Sequence, residues 1–212
     1  MKSYHQTCTA AKALDVLGDR WTLLILRELI MQSPCRYTDL ANGLPGIASN
    51  LLSDRLRALE HAGLIKREAA PPPVAATLFH LTEKGAATEP ILAELAVWGT
   101  RYAFEVDPED EFREHWFPFA ASVLLRDRDP GAPPVIVQLV TPVGSSTITA
   151  DSNGVHPRMG TAESSDLTIG GAPPVILRFL SGVITLATAQ AEGMTLDGDP
   201  AVLDRFQVTT TP

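Results

Sequence analysis

The chain has 212 residues, 45% of them hydrophobic and 20% charged, with a formal net charge of −8 and a sequence pI near 5.1. This composition is globular rather than disordered, and the length allows one large domain or two small ones. No apolar run approaches the ~20 residues of a membrane span; the N-terminal MKSYHQTC has no apolar secretion core, and two cysteines fit a reducing cytoplasm rather than a disulfide framework.

Charge is divided unevenly along the chain. Residues 1–100 hold ten Lys/Arg and ten Asp/Glu, whereas residues 101–212 hold seven Arg, no Lys and fifteen Asp/Glu. The whole negative excess lies in the second half, which points to two domains of different purpose.

In chain order, the first half reads as mostly helical. Gly18 closes a first helix and Asp19 is placed to cap the next, whose buried stripe is Trp21, Leu24, Ile25 and Leu29. A short helix over 36–42 and the turn Leu44-Pro45-Gly46 follow. The spacing then predicts a helix over 47–62, with Leu52, Leu56 and Leu59 inward and Asn50, Ser53, Asp54 and Arg57 on the opposite side. LIKRE and TLFHLTE read as two strands joined by a proline-rich loop over 71–76, because three prolines fit neither a helix nor a central strand. A helix beginning near Pro90 carries Ile91, Leu95, Trp98 and Tyr102 on one face, widened by Leu92, Ala96 and Gly99.

EVDPEDE, residues 105–111, is an acidic linker, after which the pattern changes. Residues 112–126 are aromatic-rich and helical around Pro118; VIVQLV, 145–151 and 166–169 read as strands, and Asn153-Gly154 as a hairpin turn. Helices over 173–181 and 183–192, the short strand MTLDGD and a helix from Pro200 to Phe206 complete an α+β half with largely antiparallel strands. Asp199 is placed to cap that last helix. No internal repeat is present.

Helix, helix, short helix, turn, helix, two-stranded wing and helix make a winged helix-turn-helix. Over residues 8–102 the chain resembles the HxlR-type transcriptional regulators, a MarR-like branch of winged helices. The resemblance rests on Cys8, on the run ALDVLGDRWTLLILREL from Ala13 to Leu29, on LLSDRLRALE from Leu51 to Glu60, on Gly63-Leu64-Ile65, on LTEKG from Leu81 to Gly85 and on Trp98-Gly99. It implies a homodimer with one recognition helix per subunit, joined through the N-terminal segment and the last helix of the domain. Ile91, Leu92, Leu95, Trp98 and Tyr102 are the interface residues on that reading. The second half is similar, over a shorter stretch, to the sterol-carrier-protein-2-like fold, through SDLTI, VILRFLSG and MTLDGDP. That similarity implies a mostly antiparallel sheet enclosing an apolar ligand site. The expected organisation is a winged helix-turn-helix over 1–104, the linker 105–111 and the ligand domain 112–212.

Contact residues follow from the helix over 47–62. Taken alone, its pattern fits an ordinary core helix; the wing that follows it and the resemblance favour the DNA-reading interpretation. Ser49, Asn50 and Ser53 are positioned for base edges, Asn suiting adenine, while Arg55 and Arg57 suit phosphates or one base edge. Arg36, Thr38 and Thr77 complete the expected contact set. Between Arg36 and Arg67 five Lys/Arg face three Asp/Glu, a modest positive footprint that requires dimeric, salt-sensitive binding of double-stranded operator DNA. The wing tip Val74-Ala75-Ala76-Thr77 carries no cation, a departure from the family.

Cys8 has two readings, a half-buried structural cysteine or a thiol sensor, since some relatives sense oxidants through an N-terminal cysteine. The histidines show no metal-site spacing, and no catalytic motif or cofactor loop is present, so neither an enzyme nor a metal or cofactor is expected. In the second half, Trp116, Phe117, Phe119 and Phe179 are either core or the lining of an apolar pocket, and Arg178 is the cation placed to meet an anionic head group. The expectation is a cytoplasmic one-component regulator whose operator affinity responds to an apolar or amphipathic small molecule. Two alternatives stay open: a thiol switch through Cys8, and a lipid-carrier-like protein using its winged helix for protein contacts.

Overall fold

A computed structural model describes residues 3–70, 76–103, 105, 107 and 109–209. The chain forms two compact units, residues 1–92 and 93–212. The division falls inside a helix, thirteen residues before the acidic segment where composition changes.

The first unit contains α1 (Thr9–Leu17), α2 (Thr22–Gln32), β1 (Cys35–Arg36), α3 (Tyr37–Gly43), α4 (Ser49–His61), β2 (Ile65–Ala69), β3 (Thr77–Leu81) and α5 (Glu83–Ala86). Helix α6 (Glu89–Tyr102) continues past its end. The unit is a winged helix-turn-helix. Its leucines and isoleucines explain the packing: Ile25, Leu26, Leu29, Leu40, Leu52 and Leu56 are at most 2% exposed and close one core. Strands β2 and β3 pair antiparallel from Ile65↔Leu81 to Ala69↔Thr77. The two-residue β1 adds a third strand, Cys35 opposite Phe79, which the sequence pattern did not announce.

Two local expectations are corrected here. Asp19 does not cap α2; Trp21 does so, at φ +76°, a left-handed conformation uncommon outside glycine. The Asp19 carboxylate instead pairs with Arg55 of α4. Leu24 turns outward and Trp21 is half-buried, so the inward stripe of α2 is Ile25, Leu26 and Leu29. Glu28 is buried at 1% exposure within an otherwise apolar helix face. It is held by the Arg27 guanidinium at 2.6 Å, and it lies against Gly43, where any Cβ would come within 2.0 Å of its carboxylate.

The second unit contains α7 (Trp116–Leu124), β4 (Leu125–Asp127), β5 (Val135–Thr141), β6 (Gly144–Asp151), β7 (Gly154–Met159), β8 (Leu167–Gly170), α8 (Pro173–Leu180), α9 (Leu186–Ala191), β9 (Thr195–Gly198), a 3-10 helix (Pro200–Arg205) and β10 (Phe206–Val208). Five strands form one sheet in the order β7-β6-β5-β8-β9, in which β5 and β8 run parallel and every other pair antiparallel. The hairpin turn closes on the pair Asp151↔Gly154, with Gly154 at φ +114°. Strand alternation sends Val137, Leu139, Ile148, Leu167 and Ile169 to one face, where Phe117 of α7 and Ile176 of α8 join them in a single core. The other face carries Gln138 and Thr147, both buried by the loop after β7. Gln138 donates to Ser146 O at 2.9 Å and accepts from Ala162 N at 2.8 Å, and the Thr147 hydroxyl donates to Gly160 O at 2.8 Å. The 3-10 helix begins as expected, with Asp199 accepting from Ala201 N at 2.9 Å.

A separate two-stranded ribbon pairs β4 with β10, Val208 opposite Leu125. It is fixed by Arg205, whose fork meets Asp127 at 2.5 Å through Nε and 2.9 Å through the terminal nitrogen, and which donates to Pro133 O at 2.9 Å. The Asp127 side chain is only 1% exposed.

Candidate functional site

Helix α4 is oriented by its leucines. With Leu52, Leu56 and Leu59 buried, the α-helical period turns Ser49, Asn50, Asp54 and Arg57 to the surface and leaves Ser53 half-buried beside them. The start of the helix is held from α3, where the Tyr37 hydroxyl donates to Ser49 O at 2.8 Å. Tyr37 was missed as a positioning residue; its signal in the sequence is an aromatic with a polar tip opening the short helix before the turn.

The expected contact set divides. Ser49, Asn50, Ser53 and Arg57 share one face. Ser53 donates its hydroxyl proton to Ser49 O at 2.9 Å, and Asn50 Oδ1 accepts from Leu51 N at 2.9 Å, which leaves the Asn50 amide donors outward. Arg57 is well exposed and pairs with Asp54 one turn earlier. Arg55 leaves the set. Its side chain runs to Asp19, and its Nε is buried without a hydrogen-bond partner among the described residues. The helical angle between 55 and 57 is ~200°, so one helix face cannot present both. Arg55 instead ties α4 to the turn between α1 and α2.

Around this face, Arg36 precedes α3 with its backbone N–H donating to the Asp39 carboxylate at 2.8 Å, and its side chain is exposed. Thr38, in the first turn of α3, and Thr77, at the start of β3, are also exposed. On the wing, Arg67 is committed to Glu60 at 2.7 Å and lies over the Phe79 ring at 5.7 Å. Lys66, which the sequence reading counted only as net charge, is exposed on β2. The wing-tip residues Val74 and Ala75 lie outside the described residues.

On α6, Ile91, Leu95, Trp98 and Tyr102 are 46%, 48%, 56% and 65% exposed, and the Trp98 and Tyr102 rings lie 5.7 Å apart. Leu92 differs: at 4% exposure it is part of a core and does not lie on this outward face.

The two cysteines contrast. Cys8 stands exposed immediately before α1, and the backbone N–H groups of Ala11 and then Ala10 hold its thiol below the ordinary value. Cys35 is buried in β1, and that burial, helped by Asp39 and Glu28, pushes its thiol up to about 12.

In the second unit an apolar cavity of about 220 Å³ lies between the sheet, the segment after α8 and the C-terminal strand. Of the expected lining residues only Phe179 faces it. Phe117 is sealed in the core at 1% exposure, and Trp116 and Phe119 are half-buried away from the cavity. Arg178 is turned to the surface, paired with Glu192 at 2.7 Å. Helical spacing put 178 and 179 on one short helix, but adjacent residues point ~100° apart, and the cavity took the aromatic.

Among the described residues no group of three or more His, Cys, Asp or Glu is placed to hold a metal ion, and no helix is long and apolar enough to cross a membrane.

A family profile described as HxlR-like helix-turn-helix matches residues 16–107. The HTH-type transcriptional regulator YvaP of Bacillus subtilis is 37% identical over 97 residues, covering 46% of this chain and 86% of that protein. The HTH-type transcriptional regulator YodB of the same organism is 30% identical over 90 residues, 42% of this chain and 80% of YodB. The solved reduced form of YodB is 29% identical, the match covering 48% of this chain and 100% of that one, with a TM-score of 0.42. The chain therefore belongs to the HxlR-like helix-turn-helix family of transcriptional regulators.

Proposed function

We propose that the chain is a one-component regulator that binds operator DNA as a homodimer, with its operator affinity set by a small molecule held in the second unit. The observation that carries the DNA-binding reading is the outward face of α4. Ser49, Asn50, Ser53 and Arg57 stand on a helix that three buried leucines orient, preceded by α3 and followed by the β2–β3 hairpin. The apolar residues exposed along α6 support dimerisation, since such a row is costly to leave in water. A mostly antiparallel sheet with three α-helices and an apolar cavity supports a sterol-carrier-protein-2-like ligand module. A ligand acts on operator affinity only through its different affinity for the two states of the dimer.

Selection from a pool of random duplexes, followed by fluorescence-anisotropy titration, tests this. Enrichment of a two-fold symmetric sequence with half-sites ~34–36 Å apart is expected. Arg57→Ala should weaken binding to it by ~1–3 kcal/mol. A pool that yields no enriched sequence even at low salt overturns the reading.

One observation favours a second mode of control, the exposed Cys8 with its thiol held below the ordinary value by backbone amides. On that reading a thiol oxidant lowers operator affinity in the parent protein. Cys8→Ser should abolish that response and leave affinity under reducing conditions unchanged. A response that survives the substitution removes Cys8 from the mechanism.

A further inference from the structure

The cavity of the second unit has a chemical character that narrows its ligand further than "apolar or amphipathic". Its walls are aliphatic or aromatic side chains, among them Val137, Ile148, Ile169, Phe179 and Leu203, and among the described residues Thr185 is the one with a polar side chain. That hydroxyl is already used, since it accepts from Thr188 N at 3.2 Å and pairs with the Thr188 hydroxyl at 2.9 Å at the start of α9. The backbone at the rim is also committed: Gly182 N donates to Phe179 O and Val183 N to Arg178 O, both at 2.9 Å. The guanidiniums next in sequence to lining residues are engaged: Arg126 donates to the Ser122 and Leu125 carbonyls at 2.9 and 2.8 Å. Arg178 is held by Glu192 at 2.7 Å, and Arg205, beside the lining residue Phe206, is forked onto the buried Asp127.

We infer that this cavity takes a compact, uncharged, hydrocarbon-like molecule, and not one anchored by a carboxylate or phosphate. The inference rests on the ligand-module reading and supplies its ligand class. An anionic head group drawn into this cavity would lose its water and meet no charged side chain in the lining, a heavy penalty in apolar surroundings. A neutral apolar molecule meets no such cost, and the apolar lining gains contacts when it is filled. Size sets the second limit. An engineered apolar cavity of ~150 Å³ accepts benzene, so about 220 Å³ corresponds to about nine carbon atoms, close to the size of a bicyclic aromatic rather than of a long acyl chain.

Naphthalene and naphthalene-1-carboxylate, which differ by one charged group, are the probes. Each is titrated at neutral pH into the full-length protein in the absence of DNA, with isoleucine methyl NMR as the readout. Naphthalene should produce saturable shifts at Ile148, Ile169 and Ile184 and leave Ile25 and Ile65 unmoved. The carboxylate should bind about a hundredfold more weakly, the discrimination expected for burying an unpaired charge. Equal or tighter binding of the carboxylate overturns the inference, and so does the absence of any naphthalene shift at the three cavity isoleucines. Leu203→Trp, which adds bulk at the half-buried rim, should reduce naphthalene affinity at least about tenfold. The unsubstituted protein decides the matter should that variant fail to fold. The operator titration remains a separate readout. Naphthalene that fills the cavity without moving operator affinity sinks ligand control and leaves the ligand class standing, whereas preference for the carboxylate sinks the class whatever operator affinity does.

Discussion

Arg57 and Arg205 show how differently the two units use the same side chain. Arg57 stands on the outward face of α4 with a loose partner one turn away, its side chain 67% exposed. Arg205 is 9% exposed, forked onto a carboxylate that is itself buried, and ties the C-terminal strand to the rest of its unit. A solvated pair contributes little to stability and is cheap to break, so Arg57 is available to another anion. A buried fork is expensive to break, because removing one partner strands the other's charge, so Arg205 is structural. The first unit places its working groups on a surface. The second keeps charged side chains out of the lining of its apolar cavity.

The largest test of this contrast asks whether the units are stabilised separately. Leu52→Ala removes a fully buried side chain from beneath the reading face and should cost ~2–5 kcal/mol in the first unit's denaturant transition. The second unit's transition, followed through the Ile148 and Ile169 methyl resonances, should not move; a matching shift there would show one cooperative body. Asp127→Asn probes the second unit, where a melting-temperature loss on the order of 10 °C is expected by calorimetry. It also carries a pH signature. Hydrogen bonds from Arg205 hold the Asp127 carboxyl below its ordinary value, so its contribution is complete above that value and is lost as pH falls through the lowered one. The parent second unit should therefore lose stability steeply below about pH 4, and the Asn variant less steeply. The smallest expected effect is Gly43→Ala. The new Cβ would press on the buried Glu28 carboxylate and should cost ~1–3 kcal/mol in the first unit. An unchanged transition would mean that Glu28 moves aside freely, and the buried-against-solvated distinction would weaken within that unit.

How legible each unit was follows from the range of the interactions that define it. Every helix of the first unit from α2 to α4, and both wing strands, could be read from leucine spacing, glycine and proline, because those signals lie within one or two turns. The outward face of α4 was legible for the same reason: once Leu52, Leu56 and Leu59 face inward, Asn50 and Arg57 must face out. Arg55 was misread because Asp19, 36 residues away, claims it, and sequence spacing carries no record of such a pair. The cap of α2 was misread through the same residue. In the second unit the strands β5, β6, β8 and β9 were visible from alternation and their flanking turns, whereas β7, β4 and β10 were not. Strand β7 contains a proline, and β4 and β10 have only three residues each, too short for a period to register.

What the sequence determined by itself is the winged helix-turn-helix, the change of character after residue 104 and the polar stripe of α4. Local periodicity and turn chemistry suffice for these, and they do not depend on which distant residue lies opposite. The tertiary structure alone decided where three of the charges are spent: Arg55 drawn to Asp19, Arg178 to Glu192 and Arg205 to Asp127. It also decided that Phe117 fills a core while Phe179 lines a cavity. Long-range pairing of charges and the closing of a hollow depend on contacts between residues far apart in the chain, and no local pattern encodes those.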